Sequence, residues 1–252
     1  VKWRLHTHFE VDRFVPTRMD VTPDGGGEND ERAVLERTLE RDRLYVMDRG
    51  YAKCALFNRI VKEQSSYVCR LRDNSAYEIL EERPLTEADR AAGILSDQLV
   101  RFPNGKADAR PDHPIRLVCI RTTPHTSRRK SGGGSTGPGS DGVLRIATNL
   151  LDVPAEIIGL IYRYRWTIEL FFRFFKQILG CRHLYFHSQD GIELQAYCEI
   201  IACMLLCLWT GRKTTKRTYE MVCYYFLGLA SEAELLAHLE KLKRHVADQS
   251  RT

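Results

Sequence analysis

Four polar or charged side chains recur at helical spacing between positions 161 and 179. They are Tyr162, Arg165, Glu169 and Lys176. At about 100° per residue, an α-helix brings all four within roughly 60° of one another on its surface. Arg165 and Lys176 suit contacts with phosphate oxygens, and Glu169 can point along the edge of a sheet. The spacing therefore predicts a narrow charged stripe fit for phosphate chemistry.

An apolar arc lies beside this stripe and must pack against the body of the protein. It comprises Ile161, Ile168, Phe172, Phe175 and Leu179. The stripe therefore borders the core, which is unusual for an ordinary solvated helix face. The plainer interpretation is an amphipathic helix in which Arg165 and Glu169 form an ion pair worth only about 0.2–0.5 kcal/mol. The residue types alone leave both interpretations open.

The pattern Tyr162-x2-Arg165-x3-Glu169-x6-Lys176 resembles, at every position, the Y-x2-R-x3-E-x6-K signature of the insertion-sequence-four family of DDE transposases. Asp48-Arg49-Gly50-Tyr51, after an apolar strand, resembles the segment that bears the second catalytic aspartate of that family. The segment 147–151 resembles the strand that returns from the family's β insertion. The resemblance extends from about residue 3 to about residue 210.

This resemblance implies a metal-dependent enzyme that acts on double-stranded DNA, at transposon ends and target, as a homodimer on DNA. Asp48 and Glu169 become the expected catalytic and metal-binding residues, and carboxylate oxygens suit Mg²⁺ or Mn²⁺. Tyr162, Arg165 and Lys176 become contacts to DNA near the cut phosphate. For Asp48 the alternative is an ordinary turn residue before Arg49-Gly50.

Trp166 has two interpretations of equal weight. It follows Arg165 directly and could stack on a base displaced from the duplex. It could equally be a buried packing residue. The basic run 212–217 likewise either tracks the DNA backbone or forms a solvated turn between helices.

The sequence departs from the family pattern at its start. A complete triad needs a first aspartate on the opening strand, and we expect that residue to be absent. Asp12 and Asp20 lie beyond that position and near turns. We therefore expect this chain alone to bind metal poorly and to cleave DNA feebly. Two alternatives follow: a DNA-binding remnant without catalysis, or an unrelated domain that binds zinc through Cys181, His183 and His187.

Composition indicates an ordinary globular protein. The 252 residues are 43% hydrophobic and 28% charged, and the net charge of +5 permits a polyanionic partner without requiring one. Eight cysteines without a Cys-x2-Cys pair are typical of a reduced, cytosolic protein. The longest apolar run, 197–209, is interrupted by Glu199 and is shorter than the roughly 20 residues of a membrane span. It predicts a buried helix and no membrane partner.

The elements that must position these residues follow from local patterns. Residues 3–11 and 14–21 predict a β-hairpin, and Asn29 or Asp30 can cap a helix that runs to about Leu39. A buried strand at 44–47, a helix at about 52–61 and a strand at 67–71 follow. This order predicts an α/β fold with an RNase H-like mixed sheet and flanking helices.

The rest of the chain divides by composition into an insertion and a helical region. We predict a core at 1–71, a mainly β insertion at 72–143 with a disordered loop at about 126–142, a second part of the core at 144–182 and a helical region at 183–252. The strands 117–120 and 144–147 should form a hairpin. Helices are expected at about 155–179, 192–209, 217–227 and 232–245.

Overall fold

The structure is a computed structural model that describes residues 2–13, 15–103, 110–122, 142–177, 185–210 and 216–249. The chain forms two compact units. The sheet unit is Gly25–Arg165, and the helical unit combines Val1–Asp24 with Trp166–Thr252. Within the described residues the elements in chain order are β1 (Trp3–Glu10), β2 (Val15–Pro23), α1 (Glu31–Arg37), β3 (Leu44–Met47), α2 (Cys54–Lys62), β4 (Ser66–Arg70), β5 (Glu78–Glu82), α3 (Glu87–Ala91), β6 (Ile94–Arg101), β7 (Ile115–Arg121), β8 (Val143–Thr148), α4 (Ala155–Tyr164), α5 (Trp166–Gln177), α6 (Gln189–Thr210), α7 (Lys216–Phe226) and α8 (Glu232–Gln249).

A six-stranded mixed sheet forms the centre of the sheet unit, with strand order β3-β4-β8-β7-β6-β5. Strands β3 and β4 are parallel and are joined through α2, because parallel neighbours need a crossover connection. The remaining neighbours are antiparallel, and β7 and β8 pair with Leu117 opposite Ala147. The predicted α/β class with a mixed sheet and flanking helices is therefore confirmed.

Each face of this sheet buries its own apolar cluster, because successive side chains of a strand point to opposite faces. On β4, Tyr67 and Cys69 pack with Leu56 and Phe57 of α2. Val68 packs on the other face, in the cluster that contains Ile158 and Tyr162 of α4. The sheet thus lies between α2 and α4, and β4 belongs to both cores.

Local capping explains where α1 begins. The Asp30 carboxylate accepts a hydrogen bond from the Arg32 backbone N–H over 3.0 Å. A side chain in this position satisfies a donor that the first helical turn leaves unpaired. The cap is one of the two residues that the sequence predicts.

A buried ion pair anchors the connection from β8 to α4. Arg116 on β7 is 2% exposed and Asp97 on β6 is 6% exposed, and Arg116 Nη2 lies 2.7 Å from Asp97 Oδ2. Arg116 Nη1 also donates to the backbone carbonyls of residues 150, 151 and 153. Asp89 of α3 accepts a hydrogen bond from the Glu156 N–H in the first turn of α4. These contacts fix the start of the helix that carries Tyr162.

The helical unit contains the β1–β2 hairpin and helices α5 to α8. The hairpin strands are antiparallel and form a sheet of their own. Phe171 of α5 is fully buried and packs against Met19 of β2 and Ile200 of α6. The Tyr197 hydroxyl donates to the Met19 carbonyl oxygen over 3.1 Å, which ties α6 to the hairpin.

Two predicted features differ from the structure. The predicted helix 155–179 is divided into α4 and α5, and at the junction the Arg165 N–H donates to the Tyr162 carbonyl, three residues earlier. The tighter bond occurs beside Trp166, Thr167 and Ile168, which are weaker helix formers than Leu or Ala. In addition, Phe171, which the predicted apolar arc omits, is more deeply buried than Phe172.

Several predictions fall outside the described residues. These are the loop at about 126–142, apart from Gly142, the basic run except for Lys216 and Arg217, and both Cys181 and His183 of the zinc hypothesis. Helix α6 contains a stretch, Gln189–Trp209, that is long and apolar enough to cross a bilayer. A single such helix is weak support for a membrane span, since core helices of water-soluble proteins have the same composition.

Candidate active site

Asp48 follows β3 directly and carries an exposed carboxylate. Its neighbour Met47 is buried in the core and pairs with Cys69 of the parallel strand β4. The Cys69 thiol donates to the Asp48 carbonyl oxygen over 3.4 Å. The chain therefore leaves the sheet at a fixed point, and Asp48 stands at the carboxyl end of a parallel pair, where α/β proteins commonly bind ligands.

Gly50 orients this carboxylate. Its backbone N–H donates to Asp48 Oδ1 over 2.7 Å. A Cβ atom at Gly50 would lie 3.0 Å from the same oxygen and 3.4 Å from Glu31 Oε1. A side chain at this position would therefore crowd the Asp48 carboxylate, which would have to shift by a few tenths of an ångström.

A cavity of about 630 Å³ opens beside Asp48. Its lining comes from the turn after β3 and from the segment after β4, and comprises Asp48, Arg49, Gly50, Arg72, Asp73 and Asn74. Pockets of 300–1,000 Å³ are the usual size for ligand sites. Acidic, basic and amide groups meet here at one edge of the sheet.

Tyr162 and Arg165 lie in the sheet unit, at the end of α4. Tyr162 is 9% exposed, and burial raises the pKa of its phenol. The negative charges of Cys69 and Asp48 raise this pKa further. The positive charges of Arg165 and Arg70 lower it. Arg165 Cζ lies 5.8 Å from the centre of the Tyr162 ring, within the range of a cation–π contact. The structure thus brings Tyr162, Arg165, Arg70 and Asp48 into one neighbourhood.

The pKa of Tyr51 is also raised by nearby acidic residues. Burial, together with the negative charges of Glu31, Asp48 and Asp30, raises the pKa of Tyr51 to about 12. Its phenol therefore stays protonated at neutral pH. Beside the Asp48 turn it is an uncharged hydrogen-bond donor.

Glu169, Lys176 and Trp166 lie on α5, in the helical unit. Glu169 occupies the first turn and is half-buried, and Lys176 belongs to the last turn of the helix. Trp166 is 49% exposed, which argues against its interpretation as a buried packing residue. The convergence of Asp48 with Glu169 stays a prediction, because the two residues belong to different units.

The donor atoms beside Asp48 suit a hard divalent cation. Asp48, Asp73 and Asn74 contribute carboxylate and amide oxygens to the rim of the cavity, and Mg²⁺ and Mn²⁺ prefer such oxygens. Among the residues that the structure describes, no three His, Cys, Asp or Glu side chains come together as a metal cluster. The type of donor fits a metal, and a complete ligand set needs a further carboxylate.

Sequence reasoning missed Arg70 at the end of β4 and Arg72 and Asp73 in the segment after it. These residues fall at the boundary between the predicted strand at 67–71 and the predicted insertion at 72–143. The available signal was the strand–helix–strand order of β3, α2 and β4, because a helical crossover is typical of parallel strands, which bring their carboxyl ends to the same edge. Charged residues after one strand should therefore meet those after the other.

Comparison with known proteins identifies similar chains. A protein named "Putative transposase y4zB", from Sinorhizobium fredii, is 25% identical over 204 residues, which cover 81% of this chain and 52% of that protein. A "Probable transposase for insertion sequence element IS5377", from Geobacillus stearothermophilus, is 26% identical over 216 residues, or 85% of this chain and 51% of that protein. The chain thus spans about half the length of these curated relatives. The family model described as Transposase DDE domain matches residues 2–205, and the chain therefore belongs to the Transposase DDE domain family.

Proposed function

We propose that this chain contributes the catalytic core of a DNA transposase, which cuts and joins the phosphodiester bonds of transposon ends. One observation carries the proposal. In a chain of the Transposase DDE domain family, the exposed Asp48 carboxylate stands at the carboxyl end of a parallel strand, beside a cavity of about 630 Å³. A transposase places its catalytic carboxylates where a DNA strand can reach them.

Asp48 and Glu169 are the proposed metal-binding and catalytic residues. The Gly50 N–H donates to Asp48 Oδ1 and thereby restricts the orientation of the carboxylate. Glu169, in the first turn of α5, supplies a second carboxylate. DDE transposases generally use divalent metal ions; Asp48 and Glu169 would hold Mg²⁺ or Mn²⁺, which would supply activation of a water or 3′ hydroxyl and stabilisation of the leaving oxygen.

The remaining signature residues are proposed DNA contacts. The Tyr162 ring lies beneath the Arg165 guanidinium and positions it for a phosphate. Lys176 supplies a further positive charge to the backbone, and the half-exposed Trp166 offers an aromatic face to a displaced base. These assignments extend the insertion-sequence-four subtype to this chain, with double-stranded transposon ends and target as substrates and a homodimer on DNA in the bacterial cytoplasm.

A non-catalytic DNA-binding role is the second candidate. It is favoured by the two arginines, Arg49 and Arg72, that line the cavity beside Asp48, because guanidinium groups bind DNA phosphates without a metal. In either case we expect the 252-residue chain by itself to bind metal weakly and to cleave DNA feebly.

Strand transfer by variants of the complete coding sequence that contains this chain tests the proposal. Asp48→Asn and Glu169→Gln should each lower transfer of labelled transposon ends into a plasmid by about a hundredfold or more, because each removes a metal ligand. DNA binding should persist. The matched controls are Asp42→Asn, at an exposed turn residue, and Glu193→Gln on α6, which should transfer normally.

Two results would contradict the assignment. Normal transfer by Asp48→Asn or Glu169→Gln would remove that residue from the catalytic set. Binding that is steeply dependent on salt, with no transfer by the unaltered protein in Mg²⁺ or Mn²⁺, would favour the non-catalytic role.

A further inference from the structure

Arg70 is the last residue of β4, and it leaves the sheet beside Asp48. Because β3 and β4 are parallel and Met47 pairs with Cys69, the next residues of both strands lie at the same edge. Alternation along β4 places Arg70 on the same face as Val68, the face covered by α4. Burial raises the pKa of the Tyr162 phenol, and the positive charge of Arg70, like that of Arg165, opposes this rise.

The Arg70 guanidinium is held inside the protein without the hydrogen bonds that a buried cation needs. The side chain is 14% exposed, and its Nε and Nη2 atoms are buried with no hydrogen-bond partner in the described part of the chain. Nη2 lies 3.6 Å from Asp73 Oδ1, which is an ion pair too long for a good hydrogen bond. A buried charged donor without a hydrogen bond costs free energy. A hydrogen bond from Arg70 to an acceptor outside its present position would therefore be favourable.

The cavity beside Asp48 lies within the surroundings of this side chain, because Asp73 belongs to both. Asp73 pairs with Arg70 and also lines the cavity. The lining carries two carboxylates, of Asp48 and Asp73, and two guanidinium groups, of Arg49 and Arg72. The formal charges of these four groups sum to zero. If the Arg70 guanidinium also pointed into the cavity, its positive charge would favour binding of an anion there.

We propose that Arg70 is a phosphate-binding residue, whose guanidinium turns from its buried position into the cavity and binds a DNA phosphodiester next to Asp48. The inference rests on the proposed function, since a DNA strand is the ligand that brings a phosphate to this carboxylate. A phosphodiester offers two acceptor oxygens that match the planar fork of an arginine. It therefore supplies the hydrogen bonds that the buried position lacks.

Arg70→Met tests this role, since methionine fills buried space without a charge or donors. In the chain as it exists, without divalent metal, its affinity for a labelled DNA duplex should fall about tenfold, and the slope of log affinity against log salt should decrease by about one. The thermal midpoint should stay the same or rise, because unsatisfied donors are removed. If Arg70 only stabilised the fold, Arg70→Met would lower the thermal midpoint.

Two further variants separate the loss of charge from the loss of the guanidinium group at position 70. Arg59→Met removes the same charge from an exposed position on α2, where Arg59 pairs with Glu63, and it should leave affinity nearly unchanged. Arg70→Lys keeps the charge, so the salt slope should be retained while affinity falls, because an ammonium group cannot bind two oxygens as a planar fork.

A lower thermal midpoint with unchanged affinity in Arg70→Met would overturn the proposal. If that variant does not fold, unchanged affinity in Arg70→Lys would overturn it. Normal DNA binding by Arg70→Met, combined with loss of strand transfer in Asp48→Asn, would refute this inference and leave the transposase function standing. Absence of any DNA binding by the unaltered chain would refute the phosphate role, and strand transfer by the complete coding sequence would still decide the function.

Discussion

The Gly50 N–H lies 2.7 Å from Asp48 Oδ1, and a Cβ atom at Gly50 would stand 3.0 Å from that same oxygen. We therefore predict that Gly50→Ala displaces the carboxylate and lowers strand transfer about ten- to a hundredfold, the effect of misplacing a catalytic group. Unfolding free energy should change by less than about 1 kcal/mol.

Gly26→Ala is the control for this change, because nothing lies within 4 Å of a Cβ atom there and its φ is −99°. Strand-transfer rates of both variants provide the measurement. Equal rates in Gly50→Ala and Gly26→Ala would show that the orientation of Asp48 by Gly50 is unimportant.

Trp166 and Trp209 form a matched pair for testing base stacking, since they are 49% and 48% exposed. Trp166→Ala should weaken binding to a transposon end that contains an unpaired base by about 1–3 kcal/mol, the usual value of one base–aromatic stack. Trp209→Ala on α6 should have little effect. Titration of labelled DNA gives both affinities, and equal losses in the two variants would rule out a specific role for Trp166.

Removal of one partner from the buried pair of Arg116 and Asp97 should strongly destabilise the sheet unit. Arg116→Ala leaves the Asp97 carboxylate buried without its partner and should cost about 3–5 kcal/mol of unfolding free energy. Arg101→Ala removes the exposed pair with Glu78 and should cost about 1 kcal/mol or less. Urea unfolding monitored by circular dichroism measures both, and similar losses would contradict the prediction.

Asp89 should make stability depend on pH in the acid range. Burial alone would raise its pKa, but hydrogen bonds from Thr86 and Glu156 outweigh that effect and lower it. Because the folded pKa is lowered, the stabilisation is complete above the unfolded pKa of about 3.9 and is lost as the pH falls through the folded value.

Asp89→Asn should therefore be about 1–2 kcal/mol less stable than the unaltered chain at pH 7, owing to the loss of the caps on α3 and α4. The difference should shrink below about pH 4. Urea midpoints at several pH values give the comparison, with Asp42→Asn as an exposed control. A difference independent of pH would exclude the carboxylate as its source.

Much of the fold could be predicted because local patterns agree with it. The alternation in residues 3–23, the Asp30 cap and the apolar segments that became β3, β4, β7 and β8 each act over a few residues. Such signals report the local propensity and the periodicity of one element. They do not report which elements share a sheet, and the separate β1–β2 sheet was therefore not foreseen.

The candidate site divides in the same way. Asp48 and the residues of the signature stand out in sequence by type and spacing. The participation of Asp73 and Arg70 depends on the parallel register of β3 and β4, which joins positions more than 20 residues apart. No local pattern encodes that register.

By itself the sequence determined the residue chemistry: carboxylates, arginines and a lysine, at intervals that resemble a transposase signature. Only the tertiary structure decided that the Asp48 carboxylate is oriented by Gly50, that Tyr162 is buried under Arg165, and that Arg70 is held without hydrogen-bond partners within the described residues. The physical reason is that burial and hydrogen-bond satisfaction are properties of the packed surroundings of a residue, which residues distant in the chain create.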